Sequence, residues 1–161
     1  MISRLERINI IEWFRRLFGG NPPRIQAAAL PWRRKHGTVE VMLITSRNTG
    51  RWILPKGWPE GREALDQTAM REALEEAGVE GAISGEIGRY IYGKEMSSGF
   101  RSRCEVAVFP LEVKREVKRW PEKTQRARRW FVPEEAALLV VEPDLSRLIG
   151  AFEGNPRKIS A

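Results

Sequence analysis

The chain has 161 residues, 42% of them hydrophobic, with 28 Lys+Arg against 21 Asp+Glu and a formal net charge of +7. That length suits one domain with a sizeable core, and the basic balance favours anionic partners, either polyphosphates or nucleic acid. A single cysteine, Cys104, excludes an internal disulfide and points to a reducing, cytoplasmic setting, while a single histidine, His36, argues against a histidine-built metal site or catalytic triad.

Residues 1–20 predict an amphipathic helix. Ile2, Leu5, Ile8, Ile11, Phe14 and Phe18 recur near helical period, and Gly19-Gly20-Asn21-Pro22-Pro23 stops the pattern. Charges interrupt any signal-peptide core, and Glu6 and Glu12 argue against a transit peptide. Docking on its own domain is the preferred role; a membrane-surface or dimer helix is the other. No segment has the length of a transmembrane span. Residues 21–153 read as a single domain and residues 154–161 as a loose tail.

Within the domain, Arg24 to Trp32 predicts a strand centred on Ala27-Ala28-Ala29-Leu30. Arg33 to Gly37 is a polar turn, and Val39 to Thr45 is a second strand, buried on both faces because its apolar residues alternate poorly. Ser46 to Arg51 is a basic loop. Trp52-Ile53-Leu54-Pro55 then leads into a glycine loop and a helix that ends at Gly78. Gly81 to Tyr92 predicts one strand with breaks at Gly85 and Gly88, followed by a turn over Gly93 to Gly99. Phe100 to Val113 is another strand, Lys114 to Lys123 a charged connection, and Arg126 to Phe131 a return to the sheet. Pro133 opens one helix, and Pro143 or Asp144 opens the last. The order is that of a mixed sheet with helices on both sides.

The chemistry concentrates in the central helix. Glu72, Glu75 and Glu76 stand at i, i+3 and i+4, which puts three carboxylates on one face of a regular α-helix. Such crowding repels, and a hard divalent cation with oxygen preference relieves it. The opposite face carries Leu65, Ala69, Ala73 and Ala77, small enough for the helix to lie close on a sheet. The helix is therefore expected with alanines inward and carboxylates outward. Arg71 adjoins the acids; Glu63 stands eight residues earlier, a long reach for one direct pair.

Gly57, Glu63, Arg71, Glu72, Glu75, Glu76, Gly78 and Val79 match a pattern written G-x5-E-x7-R-E-U-x-E-E-x-G-U, U being bulky aliphatic. The segment resembles a Nudix box, with Ala73 at the first U position as its one departure. The resemblance implies an α/β/α sandwich with a mixed sheet and a pyrophosphohydrolase that uses Mg²⁺, for which Mn²⁺ substitutes. It implies Glu72 and Glu76 as metal ligands, with the backbone carbonyl of Lys56 beside them. Glu75 is either a third ligand or the base that activates water. Gly57, Glu63, Arg71 and Gly78 are structural members of the box. Some family members take a further acid from a downstream loop, and Glu122 is the candidate here. The Lys56 side chain either contacts phosphate or is solvated.

Trp52 to Gly57 and Trp130-Phe131 resemble the diphosphoinositol polyphosphate phosphohydrolase branch, which also cleaves diadenosine polyphosphates. That likeness implies Arg24, Arg47 and Arg51 as substrate-binding cations. Where the branch has a basic cluster, this chain has Arg24-Ile25-Gln26 with one charge, which counts against highly phosphorylated inositols. Arg126, Arg128 and Arg129 either compensate or form a solvated strand edge. The partner expected is an anionic polyphosphate small molecule. Two alternatives stand beside it: a non-hydrolytic nucleotide- or RNA-binding module, and an RNA 5′-pyrophosphohydrolase, with RNA not favoured. Retention of all three glutamates favours the enzyme. The oligomeric state stays open at this point.

Overall fold

The structure, a computed structural model, describes residues 24–95 and 101–155. Strands β1 (Arg24–Lys35) and β2 (Thr38–Thr45) form an antiparallel hairpin, and two short strands follow, β3 (Trp52–Ile53) and β4 (Lys56–Gly57). Helix α1 (Leu65–Glu72) continues into a π-helical turn over Ala73–Ala77. Next come β5 (Val79–Ile83), β6 (Gly88–Glu95), β7 (Arg101–Glu116) and β8 (Arg128–Phe131), then α2 (Pro133–Leu139) and α3 (Pro143–Gly150).

The strands make one eight-stranded sheet in the order β3-β2-β1-β7-β5, with β4 on β1, β6 on β7 and β8 on β2. β1 and β7 run parallel, from Arg24 opposite Cys104 to Trp32 opposite Glu112, and the other pairs are antiparallel. The sheet is thus mixed, as expected. Strand alternation sends Ala27 and Ala29 to one face and Ala28, Leu30 and Trp32 to the other. On the first face Ala27, Ala29, Met42, Ile44, Ala107 and Phe109 pack with Ala69, Ala73 and Ala77. On the second, Ala28, Leu30, Leu43, Val106 and Val108 pack with Ala136, Leu145 and Ile149. Three fully buried alanines along α1 and its π-turn hold that helix close to the sheet, and α2 and α3 cover the opposite face. This is the expected α/β/α sandwich.

Element ends differ from the expectations where pairing overrides local sequence. The segment expected as one strand from Gly81 to Tyr92 is two strands, and Ser84 and Ile87 in the break still donate their N–H groups to Pro110 O and Val108 O of β7. β6 runs on to Glu95, into the expected turn. β7 runs on to Glu116, into the expected charged connection, because Val79 and Glu80 of β5 pair with Glu116 and Arg115. Alternating charges there lie on an exposed surface, and Arg115 and Glu80 form an ion pair. The helix expected over residues 1–20 lies outside the described residues, as do 156–161 of the expected tail. Among the described residues, no helix is long and apolar enough to cross a membrane.

Candidate active site

β4 fixes the entrance to the loop. Lys56 and Gly57 pair with Ala28 and Ala27 at the centre of the sheet, so the glycine stands directly under the helix that follows. A β-carbon at Gly57 would lie 2.0 Å from Glu72 Oε1, so any other residue there must displace that carboxylate from its present position. At Ala73 the helix widens from α to π, a local form that often accompanies functional sites. The turn ends on Gly78, whose φ of +66° closes it with an N–H bond of 3.1 Å to Leu74 O. The side of residue 78 that a β-carbon would fill is taken by the Trp120 ring, 2.5 Å from that position.

The three acids differ in exposure. Glu72 and Glu76 are 9% and 8% exposed, turned towards the β4 loop, whereas the Glu75 side chain is 42% exposed. The expectation of three outward carboxylates on one face is therefore corrected. Two are buried, because the β4 loop and the segment around Arg126 close over them, and one remains at the surface.

Two arginines organise the acids. Arg71 holds Glu63 with Nε to Oε2 at 3.0 Å and Nη2 to Oε1 at 3.0 Å, and Nη2 also donates to Trp58 O at 3.0 Å. Its Nη1 reaches Glu72 at 2.9 Å and Glu75 at 3.2 Å. The reach between Glu63 and Arg71, long along a helix, is direct here because Glu63 lies in the loop and folds back. Hydrogen bonds from Arg71 first, then from the Thr68 hydroxyl, hold the Glu63 carboxyl at about 2. The Glu63 hydrogen bond likewise raises the Arg71 guanidinium.

Arg126, with a side chain 6% exposed, donates from Nη2 to Glu76 Oε1 at 3.1 Å and to Glu122 Oε1 at 3.4 Å, and from Nη1 to Thr45 O at 3.1 Å. The Lys56 N–H takes the other Glu76 oxygen at 3.1 Å. Burial pushes the Glu76 carboxyl up to about 7, with Arg126 and the Lys56 N–H opposing. Burial also raises Glu72. The role of Arg126 went unrecognised in the sequence; its i, i+4 spacing from Glu122 was the signal available. Arg128 opens the edge strand β8, but its side chain is not a solvated one. It stacks 3.9 Å from the Trp120 ring centre and donates to Ala77 O, Gly78 O and Val117 O, which locks the end of the π-turn.

The expected site residues divide into those gathered and those held apart. Glu72, Glu75, Glu76, Glu122 and the Lys56 backbone converge through Arg71 and Arg126. Glu122 also donates its N–H to Glu75 O, which fixes its loop to the π-turn. Arg47 stands at the rim, 3.3 Å from Glu122. Arg51 turns to Glu142, with Nη1 to Oε1 at 2.7 Å. The Lys56 ammonium lies 5.0 Å from the Tyr92 ring centre, and burial lowers its pKa while Glu76 opposes that shift. The Tyr92 hydroxyl donates to Gln26 Oε1 at 2.7 Å. Arg24 opens β1 opposite Cys104.

Among the described residues no three His, Cys, Asp or Glu side chains are gathered tightly enough to enclose a cation by themselves. The donor set is nevertheless hard: buried carboxylate oxygens under a glycine cradle, which suit Mg²⁺ rather than a soft metal. A cavity of about 480 Å³ lies elsewhere, between the β5–β6 connection and the end of α3, lined by Glu86, Ile87, Leu148 and Phe152 among others, and contains none of these acids.

The NUDIX domain matches residues 22–152 of this chain. Nudix hydrolase 21, chloroplastic, of Arabidopsis thaliana is 33% identical over 127 residues, covering 76% of this chain and 63% of that protein. Diphosphoinositol polyphosphate phosphohydrolase 3-alpha of Mus musculus is 34% identical over 113 residues, covering 69% of this chain and 65% of that protein. The matches to the first three curated relatives span 63%, 56% and 46% of their lengths, so the chain aligns with only part of each. In fold it resembles the crystal structure of C. elegans Ap4A hydrolase, with a TM-score of 0.58 at 20% identity, covering 80% of this chain and 95% of that one.

Proposed function

From a chain that belongs to the NUDIX family, we infer a Mg²⁺-dependent pyrophosphohydrolase that cleaves a phosphoanhydride bond in a nucleoside polyphosphate-type substrate, either a dinucleoside polyphosphate or a diphosphoinositol polyphosphate. The observation that carries this reading is the buried pair Glu72 and Glu76 against Gly57 and Lys56, with Glu122 brought alongside.

Glu72, Glu76 and the Lys56 carbonyl would hold the cation, and Mn²⁺ would substitute. When bound, it supplies Lewis-acid stabilisation of charge developing on the phosphate oxygens. Glu75, the exposed acid of the three, is the proposed base: it takes a proton from the attacking water. The water oxygen bonds to phosphorus, and the anhydride bridge breaks with its electron pair on the leaving phosphate. A ligand role for Glu75 is the competing assignment. Glu122 is the proposed accessory acid. Arg24, Arg47, Arg51 and the Lys56 side chain are the proposed phosphate contacts, and their charge suits an anionic substrate. Residues 21–153 are the proposed catalytic unit, with the cytoplasm as its proposed location.

The test is phosphate release over dinucleoside polyphosphates, inositol pyrophosphates, ADP-ribose, and capped and triphosphorylated RNA, with Mg²⁺ or Mn²⁺. Turnover of a dinucleoside polyphosphate or inositol pyrophosphate that stops with EDTA and returns with metal is expected. Turnover of triphosphorylated RNA alone would favour the RNA 5′-pyrophosphohydrolase, and no turnover on any of them would favour a nucleotide- or RNA-binding module.

A further inference from the structure

The backbone of Lys56 belongs to the acid site, and its side chain leaves by the other face of the sheet. Gly57 stands opposite Ala27 beneath Glu72, so the neighbouring Lys56, opposite Ala28, projects away from α1. There the ammonium lies over Tyr92, 5.0 Å from the ring centre. Both residues are partly exposed, and the charges of Glu76 and Arg126 act on the ammonium, so it borders the acid site and meets solvent. Tyr92 is itself held. It stands opposite Cys104 in β7, its hydroxyl reaches across that strand to Gln26 Oε1 at 2.7 Å, and the Tyr90 ring centre lies 6.5 Å away. Gln26, opposite Val106 and 5% exposed, is anchored in β1.

The other cations nearby are held by acids. Arg47 is paired with Glu122, Arg51 with Glu142, and Arg126 with Glu76 and Glu122. Each of these pairs fixes its cation and also offsets its charge. Among the described residues Lys56 has no carboxylate in ion-pair contact. A lysine on its flexible stem samples many rotamers, and ordering it when an anion arrives costs entropy. An aromatic face attracts an ammonium through its quadrupole and carries no net charge. The Tyr92 ring therefore holds the ammonium without neutralising it, and the N–H donors turned away from the ring stay free for an anion.

We propose that Tyr92 is a positioning residue: its ring face holds the Lys56 ammonium in place to meet a phosphate oxygen of the substrate. The proposal rests on the Lys56 phosphate contact of the pyrophosphohydrolase reading and adds the residue through which that contact is set. Tyr92 acts through Lys56, so its loss falls on substrate binding and spares the chemical step.

The full-length protein is compared with Tyr92→Phe, Tyr92→Leu, Lys56→Gln and the variant carrying both Tyr92→Leu and Lys56→Gln, on diadenosine tetraphosphate, with melting temperatures recorded alongside. Lys56→Gln is expected to raise KM about tenfold, and Tyr92→Leu about fivefold with kcat within about twofold. Tyr92→Phe keeps the ring and should stay within about twofold of wild type. The double variant should match Lys56→Gln alone, because the ring then has no ammonium to hold. KM rises that multiply in the double variant would overturn the proposal, as would a Tyr92→Leu enzyme with wild-type KM, or a Tyr92→Phe enzyme as impaired as Tyr92→Leu. If Tyr92→Leu fails to fold, phenylalanines of increasing fluorination at position 92 replace it. They keep the shape and weaken the ring face, so KM should climb along the series, and a flat series overturns the proposal. If wild type hydrolyses nothing, the catalytic reading fails, and calorimetric binding of the dinucleotide to the same proteins decides the role of Tyr92. Absence of binding to wild type overturns that role as well.

Discussion

Gly57 and Glu72 compete for one small volume: a β-carbon on residue 57 would stand 2.0 Å from Glu72 Oε1. A side chain at residue 57 therefore has to displace the Glu72 carboxylate. Gly57→Ala should push the Glu72 carboxylate out of place. Because the displaced atoms are the end of a flexible side chain, the cost in stability should be small, within about 1 kcal/mol, with kcat down at least about tenfold. Thermal melts and Mn²⁺ titration check this; a variant with wild-type metal affinity would remove Glu72 from the ligand set.

Glu76 should impose a pH dependence on the metal-free protein. Its native pKa, about 7, lies above the usual 4.5, so between those values the native state binds more protons than the unfolded chain. Stability from this group is therefore present at low pH and declines as pH rises from 4.5 towards 7. Glu76→Gln removes that slope. At pH values above that window the metal-free variant should equal wild type or exceed it by up to about 2 kcal/mol, while kcat falls on the order of a hundredfold or more. Metal-free melts across the pH range report the first effect, and steady-state kinetics with metal the second. A metal-free variant that melts far below wild type would show Glu76 to be structural.

Glu75→Gln should separate base from ligand. With Glu75 as base, Mn²⁺ affinity survives and turnover collapses. With Glu75 as ligand, both fall and excess Mg²⁺ recovers part of the rate. Metal titration beside single-turnover kinetics distinguishes the two.

Arg126→Ala should leave Glu76 and Glu122 without their shared buried cation. A loss of about 2–4 kcal/mol is expected in the absence of metal, at the low end if Glu76 takes up a proton. Divalent cations should raise the melting temperature of the variant more than that of wild type. A variant as stable as wild type without metal, and no more responsive to it, would show that the Arg126–Glu76 contact carries no weight.

Local pattern was enough for much of this molecule. Gly57 to Val79 carries its spacing in the chain itself, so the box, the inward row Ala69, Ala73 and Ala77, and the capping role of Gly78 are legible from residue order, because helix periodicity acts over a few residues. The mixed sheet with helices on both faces agrees with the order of apolar runs and breakers, and the resemblance of the box implied it. The tertiary structure decided the rest. The change from α to π at Ala73 is accompanied by Arg128 and Trp120 at the end of the turn, and the β4 loop and the segment around Arg126 cover Glu72 and Glu76 while Glu75 stays exposed. The pairings Arg126–Glu76 and Arg51–Glu142 join residues far apart in the chain. No period connects such residues; they meet because β4, β8 and α3 are brought to the same end of one sheet. A charge in a sequence has no partner until the fold selects one, and the selection turned Arg51 towards Glu142.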